Sequence, residues 1–312
     1  MKIDLSIVIP TYNEQGSVSE LISSIIKESE KNNFGNFEII FIDDGSTDDT
    51  RRNIEKNLKK IKIFSRIISF KRNQGKSVAL NEGFINARGK IVVTMDPDLQ
   101  DNPKEIKKFI SKINEGFDLV SGWKYVRNDP LSKTFPSKIF NYITSKVSGI
   151  KLHDFNCGFK AYKKDLVKEL HLYGEHHRYI PIISHNLGYK ITEIKVDHRS
   201  RKYDKSKFGI ERYLRGFFDL FTVLFLKNYK SRPLHLFGSI GLVFIILGFL
   251  IELYLVFKWS MGFEIGGRPL FFLGILLLIV GIQSFFFGLI GEMIAGENKE
   301  KIKSSSKVFN DQ

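Results

Sequence analysis

Short apolar runs alternate with helix-compatible segments over the first hundred residues. Four runs rich in β-branched or aromatic residues are predicted strands: Leu5–Pro10, Phe37–Ile42, Arg66–Phe70 and Ile91–Met95. Such alternation is typical of a parallel sheet with helices on both faces, so we predict a Rossmann-like, mostly parallel α/β domain. Ligands of such sheets bind beyond the carboxyl ends of the strands, and the residues that follow each run are therefore the first candidates for a site.

The C-terminal part of the chain has a different pattern, with two long apolar runs at roughly Leu234–Phe257 and Leu270–Ile294. Each run exceeds the ~20 residues that a helix needs to cross a bilayer. The front part and the tail are each net positive, whereas the connection between the runs is short and nearly neutral. Positive-inside bias therefore predicts a multi-pass protein of the cell (cytoplasmic) membrane, with the front domain and both termini in the cytoplasm.

These patterns divide the chain into four parts. The predicted parts are a cytoplasmic α/β domain at 1–212, an interfacial juxtamembrane segment at 213–232, two transmembrane helices within 233–297 and a basic tail at 298–312. Glycines recur every seven residues inside both apolar runs, for example at Gly241, Gly248, Gly274 and Gly281. They suit close packing of two membrane helices, within one chain or in a homo-oligomer, or are simply frequent in membrane helices.

The chain is strongly basic, with 48 Lys and Arg against 34 Asp and Glu and a net charge of +14. The whole excess precedes residue 233, and about half of it lies between Lys190 and Arg232. This placement favours anionic lipid headgroups, or phosphates held near a membrane, over nucleic acid. Cys157 is the only cysteine, so a disulfide within the chain is excluded.

Polar residues of a few types follow all four predicted strands. They are Pro10, Tyr12 and Glu14 after the first, Asp43 and Asp44 after the second, Asn73, Gly75 and Lys76 after the third, and Asp96, Asp98 and Gln100 after the fourth. We therefore predict one composite site at this edge. A dinucleotide fingerprint is not part of it, because no two glycines in the sequence are separated by a single residue.

Asp96 and Asp98 are the centre of the predicted site. Alternate residues of an extended segment point the same way, so the two carboxylates can converge on one hard cation, with Gln100 adding a neutral oxygen. Mg²⁺ or Mn²⁺ bridging a diphosphate is the natural occupant. The alternative is that acidic residues here cap the next helix, and for Asp101 and Asn102 we prefer that interpretation, because Pro103 suits the first helical position.

The other strand ends leave alternatives open. Asp43 and Asp44 are either turn formers before Gly45 or acceptors for a nucleobase or ribose, and Ser46 with Asp49 matches a capping box. Gly75 and Lys76 open a predicted helix whose N–H groups and ammonium can hold phosphate or ribose oxygens, although a solvated lysine is common at a helix start.

The motifs together resemble the inverting GT-A glycosyltransferases that include dolichyl-phosphate mannose synthase and bacterial polyprenyl-phosphate glucosyltransferases. The resemblance covers essentially the whole chain. Besides the strand-end residues, it is carried by Val8 and Ile9, by Asp154, Asn156, Gly158 and Phe159, and by His198, Arg199, Arg201, Ser206 and Lys207. It implies a GT-A catalytic domain followed by two membrane helices.

The resemblance also implies roles for individual residues. The implied donor-binding set is Pro10, Tyr12, Glu14, Asp43, Asp44, Gly75, Lys76, Asp96, Ser206 and Lys207; the metal set is Asp96, Asp98 and Gln100; the phosphate-loop and catalytic residues are Asp96, Asp98, Arg199 and Arg201; and the acceptor-binding set is Arg127, Ser137 and Asn141.

The implied reaction is transfer of a hexose, of glucosyl or mannosyl type, from a UDP- or GDP-linked sugar to an undecaprenyl or dolichyl phosphate. Such a phosphate is already an anion near neutral pH, so positioning and charge neutralisation can replace a general base. A processive polysaccharide synthase is an alternative, but no glutamine precedes an Arg-Trp pair as in the QxxRW motif. A non-enzymatic basic adaptor leaves the strand-end acids unexplained.

Overall fold

The computed structural model describes most of the chain: residues 3–125, 141–146, 148–199, 232–265 and 267–305, with positions 202, 221, 222, 225 and 229. Side chains are described as far as residue 295. The chain forms two compact units, Met1–Val223 and Leu224–Gln312.

The first unit is built on one seven-stranded sheet. Its strands are β1 (Leu5–Thr11), β2 (Phe37–Asp43), β3 (Phe64–Ser69), β4 (Ile91–Thr94), β5 (Leu119–Lys124), β6 (Lys160–Lys163) and β7 (Ile191–Val196). Their order across the sheet is β3-β2-β1-β4-β6-β5-β7. Neighbouring strands run parallel except at β6, which is antiparallel to both β4 and β5. The mostly parallel sheet predicted from the sequence is confirmed.

Helices cover both faces of this sheet. They are α1 (Val18–Asn32), α2 (Thr50–Leu58), α3 (Lys76–Asn86), α4 (Ile106–Asn114), α5 (Lys164–Glu169) and α6 (Ile180–Asn186), with short 3₁₀ turns at Pro103–Glu105 and His176–Arg178. Alternate strand residues point to opposite faces, so one core joins Ile7 and Ile39 to α1, α2 and α4, and the other joins Val8 and Ile40 to α3, α5 and α6. The sheet is thus packed on both faces up to the ends of its central strands.

The four predicted strands begin and end within two residues of the observed ones. Strands β5, β6 and β7 were not predicted.

The helix cap predicted after β4 is confirmed for Asn102. Its side chain accepts a hydrogen bond from the Lys104 N–H at 3.2 Å, with Pro103 at the first helical position. The prediction is wrong for Asp101, whose carboxylate accepts the Asp96 N–H instead.

The second unit contains two long helices, α7 (Leu234–Ser260) and α8 (Pro269–Ser305). Among the described residues, Leu234–Ser260 and Pro269–Ala295 are long and apolar enough to cross a membrane, as predicted. The glycines pack these helices together: a Cβ on Gly241 would lie 2.6 Å from the Gly281 carbonyl oxygen, and one on Gly248 would lie 2.8 Å from that of Gly274. Their absent side chains therefore let the two backbones approach within the chain.

Candidate active site

The carboxyl ends of β1 to β4 meet at one edge of the sheet, because these four strands are adjacent and parallel. The structure thus gathers the loops that carry the predicted residues, and this edge is where ligands of open α/β sheets bind.

The loops after β1 and β2 are tied to one another by backbone and side-chain hydrogen bonds. The Asn13 N–H donates to Ser46 Oγ at 3.0 Å, and the Glu14 N–H donates to Thr50 Oγ1 at 2.7 Å. Asn13 takes a positive φ of 50° to make this corner. The predicted capping box at Ser46 and Asp49 is not formed, since α2 begins at Thr50 and Asp49 makes no side-chain cap.

Asp43 and Asp44 have different structural roles. Asp43 Oδ1 accepts the Ser46 N–H at 3.1 Å, which is the turn-forming alternative. The Asp44 carboxylate accepts the N–H groups of Gln74 (2.7 Å) and Gly75 (2.9 Å), so it joins β2 to the start of α3. Burial raises the pKa of Asp44, and these two hydrogen bonds offset it only in part.

Gly75 takes a φ of +94°, a conformation that suits glycine and aims its N–H at Asp44. The N–H groups of Gln74 and Gly75 are thus already engaged by a carboxylate. A cavity of about 560 Å³ lies beside them, lined by Ser69, Phe70, Lys71, Arg72 and Gln74. The side chain of Lys76 leaves this helix start in another direction, toward β4.

The Asp96 carboxylate lies between the ammonium group of Lys76 and the backbone of Gly158. Its Oδ1 is 2.5 Å from Lys76 Nζ. On another side, a Cβ built on Gly158 would lie 2.7 and 2.8 Å from its two carboxylate oxygens, so only glycine fits there without moving the carboxylate. Burial alone would raise the pKa of Asp96, but the charges of Lys76, Lys124 and Lys160 outweigh burial and lower it. The group is therefore held as a carboxylate.

The loop from Asp96 to Asp101 is closed by its own acids. The Asp96 N–H donates to Asp101 Oδ2 at 2.9 Å, and the Gln100 N–H donates to Asp98 Oδ1 at 3.2 Å. Leu99 adopts a φ of +64°, which is strained for a residue with a side chain and is typical of functional loops. The pKa of Asp101 is raised to about 7, and burial is the main cause.

The chain after β7 returns to this loop and lies along it. The Arg199 N–H donates to the Gln100 carbonyl at 3.0 Å, and Asp101 forms an isolated bridge with His198. Gln100 Nε2 lies 3.2 Å from both His198 Nε2 and the Arg199 carbonyl. The backbone of Arg199 thus lies against the loop from Asp96 to Asp101. His198, which had no assigned role, is equally close to it.

A second polar cluster lies behind Asp96, and the sequence patterns did not reveal it. It contains Lys124 at the end of β5, Asp154, and the buried Lys160 of β6. Burial works against the charge on Lys124, but Cys157, Asp101 and Asp154 together raise its pKa. One feature of the sequence could have indicated this cluster: Lys160 lies inside the apolar segment Phe159 to Tyr162, where a buried strand residue would ordinarily be apolar.

The remaining predicted residues are distributed unevenly. Asn141 is buried and uses its side chain on the backbone: Nδ2 donates to the His153 carbonyl at 3.0 Å, and Oδ1 accepts the Phe155 N–H at 3.3 Å. Five predicted positions lie outside the described residues: Arg127, Ser137, Arg201, Ser206 and Lys207.

The carboxylate oxygens at this edge suit a hard divalent cation. No group of three or more His, Cys, Asp and Glu side chains with metal-site spacing occurs in the part of the chain that the structure describes. Mg²⁺ characteristically takes one or two carboxylates together with substrate phosphates and water, rather than a complete protein cage. Asp96 and Asp98, with the amide of Gln100 nearby, are therefore a fitting partial set, in which Lys76 is an alternative partner for Asp96.

The chain is similar to known proteins over most of its length. The sequence model of the family described as "Glycosyl transferase family 2" matches residues 6–171. A dodecaprenyl-phosphate galacturonate synthase of Rhizobium johnstonii is 38% identical over 298 residues, covering 94% of this chain and 88% of the relative. An undecaprenyl-phosphate 4-deoxy-4-formamido-L-arabinose transferase of Pseudomonas aeruginosa is 32% identical over 311 residues, covering 98% and 89%.

Solved structures share the fold. Glucosyl-3-phosphoglycerate synthase of Mycobacterium tuberculosis, solved with Mn²⁺, uridine diphosphate and phosphoglyceric acid, superposes with a TM-score of 0.58 at 18% identity over 72% of this chain and 78% of that one. The same enzyme with Mn²⁺ and UDP-glucose gives a TM-score of 0.56 at 20% identity, covering 72% and 79%. The expected GT-A fold is confirmed, and with a family match over more than half of the sequence the chain belongs to glycosyl transferase family 2 and is a glycosyltransferase.

Proposed function

We propose that this chain transfers a sugar from a nucleoside diphosphate donor to a polyprenyl phosphate at the membrane surface. The observation that carries the proposal is the Asp96–Asp98 loop, with Lys76 at hand, in a chain that also contains two candidate membrane spans. Relatives aligned over nearly the whole chain are named for transfer to dodecaprenyl and undecaprenyl phosphate.

The donor occupies the edge formed by β1, β2 and β4. Its base and ribose lie near Pro10, Tyr12, Glu14, Asp43 and Asp44, beside the cavity that ends at Gln74. Gly75 and Lys76 lie on the path to its diphosphate, and Asp96, Asp98 and Gln100 would hold the Mg²⁺ or Mn²⁺. When bound there, the cation neutralises charge that develops on the diphosphate leaving group. Lys76 offers a second positive charge within reach of the same phosphates.

The acceptor brings its own nucleophile. A phosphate oxygen of the polyprenyl phosphate attacks the anomeric carbon, the bond from that carbon to the donor diphosphate breaks, and the nucleoside diphosphate leaves with inversion. Basic and polar residues orient the incoming phosphate: Arg199, with Arg127, Ser137, Arg201, Ser206 and Lys207 as further candidates. Asn141 acts indirectly, because its side chain is bonded to the backbone of His153 and Phe155. Arginine suits this role because its fork binds phosphate through two parallel hydrogen bonds.

The range of candidate sugars is wider than the glucosyl or mannosyl group expected from the sequence. The relatives are named for galacturonate and for 4-deoxy-4-formamido-L-arabinose, neither of which is glucose or mannose. We therefore include UDP-linked uronic acids and 4-amino-arabinose derivatives, together with UDP-glucose, UDP-N-acetylglucosamine and GDP-mannose, as candidate donors.

A panel of these labelled donors tests the proposal. Membranes that contain the chain, given Mg²⁺ or Mn²⁺ and polyprenyl phosphate, are expected to move label from one donor into an organic-extractable, mild-acid-labile lipid. The label should stay in the aqueous phase when EDTA is added or when membranes lack the chain. Label transfer from every donor at the level of the membranes without the chain would contradict the proposed function.

We also propose that both termini and the GT-A domain lie in the cytoplasm, because the loop between the spans carries little charge and the tail is basic. Cys157 is buried, so single cysteines can be introduced against a low background. In intact cells, a membrane-impermeant maleimide should label a cysteine placed in 261–268, and label one placed in 306–312 only after permeabilisation. The opposite pattern would reverse the orientation.

A further inference from the structure

Lys160 is a buried lysine for which the proposed reaction has no direct use. Its relative exposure is 2%, although it begins a strand whose neighbours Phe159 and Ala161 are core residues. Burying an ammonium group is unfavourable unless its donors are satisfied, and an apolar side chain would fill the same space at lower free energy. A lysine at this place therefore needs a reason connected with its hydrogen bonds.

The ammonium of Lys160 holds a tight turn. It donates to the Phe155 carbonyl at 3.3 Å and also to the Cys157 carbonyl. The same turn is closed from within, because Asp154 Oδ1 accepts the Asn156 N–H at 3.0 Å. The shape of the segment from Asp154 to Cys157 thus depends on a side chain that reaches back from the next strand.

This turn places Gly158 next to the loop from Asp96 to Asp101. The Gly158 carbonyl accepts a hydrogen bond from Thr94 Oγ1 at 2.8 Å, and Thr94 is the register partner of Lys160 in the β4–β6 pair. The α-carbon of Gly158 lies so close to Asp96 that a Cβ would be 2.7 Å from Oδ2. Lys76 contacts the same carboxylate through Oδ1. Asp96 is therefore confined between the Lys76 ammonium and the backbone that Lys160 supports.

We propose that Lys160 is a positioning residue: by holding the turn at 154–157 it presses Gly158 against Asp96 and sets the orientation in which that carboxylate meets a divalent cation and the donor diphosphate. The inference rests on the proposed function and adds to it a residue that contacts neither substrate nor metal. Residues that orient a metal ligand typically change metal affinity by about 10- to 100-fold when they are replaced.

The test compares two lysines of the same strand. Lys160→Met removes the buried donors, and Lys163→Met is the matched control, because Lys163 is paired with Asp118 at 2.7 Å and does not approach Asp96. The full chain in detergent is titrated with Mn²⁺, alone and with UDP or GDP, and free Mn²⁺ is read by electron paramagnetic resonance. We expect Lys160→Met to weaken Mn²⁺ binding about tenfold or more, and Lys163→Met to leave it within about twofold of wild type.

A second readout separates positioning from general destabilisation. The thermal unfolding midpoint without Mn²⁺ should fall in Lys160→Met, because the Phe155 and Cys157 carbonyls lose a buried donor, but a single unfolding transition well above the temperature of the Mn²⁺ titration should remain. Should that variant not fold, Lys160→Gln, which is smaller and keeps one amide donor, takes its place with an expected loss of at least about threefold in Mn²⁺ affinity. Unchanged Mn²⁺ affinity in the folded variant, or an equal loss in Lys163→Met, would overturn the inference.

The wild-type chain distinguishes this failure from that of the proposed function. If wild type takes up no Mn²⁺ under any of these conditions, the metal-dependent function and the role of Lys160 fall together. If wild type binds Mn²⁺ and transfers sugar while the Lys160 variant binds it equally well, only the inference about Lys160 is overturned.

Discussion

Asp98→Asn is expected to reduce sugar transfer by about a thousandfold, which corresponds to roughly 4 kcal/mol of lost transition-state stabilisation. The substitution keeps the shape of the side chain and a carbonyl oxygen for the Gln100 N–H, which now donates to Asp98 Oδ1 at 3.2 Å. It removes one of the two negative charges that a hard cation requires at this edge. The loop should therefore persist while the cation is lost.

The measurement for Asp98→Asn is the initial rate of label transfer into acid-labile lipid at saturating Mg²⁺. Asp165→Asn is the control, since Asp165 is an exposed residue in the first turn of α5 and lies among none of the strand-end loops. It should transfer sugar at the wild-type rate. A rate for Asp98→Asn within about threefold of wild type would show that transition-state charge is not stabilised through this carboxylate.

Gly158→Ala is expected to reduce transfer by about a hundredfold while leaving the fold intact. The added methyl group would stand 2.7 and 2.8 Å from the Asp96 carboxylate oxygens, closer than van der Waals contact permits. The Asp96 carboxylate is the end of a side chain and can rotate away from the methyl group, so the core need not expand. Rotation separates it from Lys76, now at 2.5 Å, and turns it from the cation.

Two readings check the Gly158→Ala variant. Its thermal unfolding midpoint without metal should lie close to that of wild type, whereas its Mn²⁺ affinity and transfer rate should both fall. Gly267→Ala is the control, because a Cβ at that position meets no atom within 4 Å. A variant that unfolds at much lower temperature, or one that transfers sugar at the wild-type rate, would contradict the positioning of Asp96 described here.

The positive charges around Asp96 suit a phosphorylated donor. Lys76, Lys124 and Lys160 all act on this carboxylate and lower its pKa. Only Lys76 contacts it directly among the pairs described. A nucleoside diphosphate adds negative charge at the same edge, so cations that already surround the acidic loop reduce the electrostatic repulsion that the donor would otherwise meet there.

The sequence was informative where one local pattern determined one element. The strands that end near Asp43 and Asp96 are short, mostly apolar runs, and their parallel arrangement brings the residues that follow them to one edge. Strand β6 was not recognisable, because it has only four residues and begins and ends with lysine. Its antiparallel pairing with β4 arises from contacts between distant segments, which local periodicity does not record.

The acidic residues of the candidate site could be predicted from the sequence, but the residues that pack against them could not. Asp96, Asp98 and Gln100 follow from the spacing of polar residues after a strand. The groups that orient them come from elsewhere in the chain: Gly158 and Lys160 lie about sixty residues later, and His198 about a hundred. Asp101 was expected to cap a helix, but an N–H donor inside its own loop, that of Asp96, engages it more closely.

Anomalous diffraction from crystals of the full chain grown with Mn²⁺ and the active sugar nucleotide tests the central claim most directly. We expect one Mn²⁺ peak at bonding distance from carboxylate oxygens of Asp96 and Asp98 and from the donor diphosphate. A donor bound in the crystal with its diphosphate remote from both acids, and with no manganese beside them, would contradict the account.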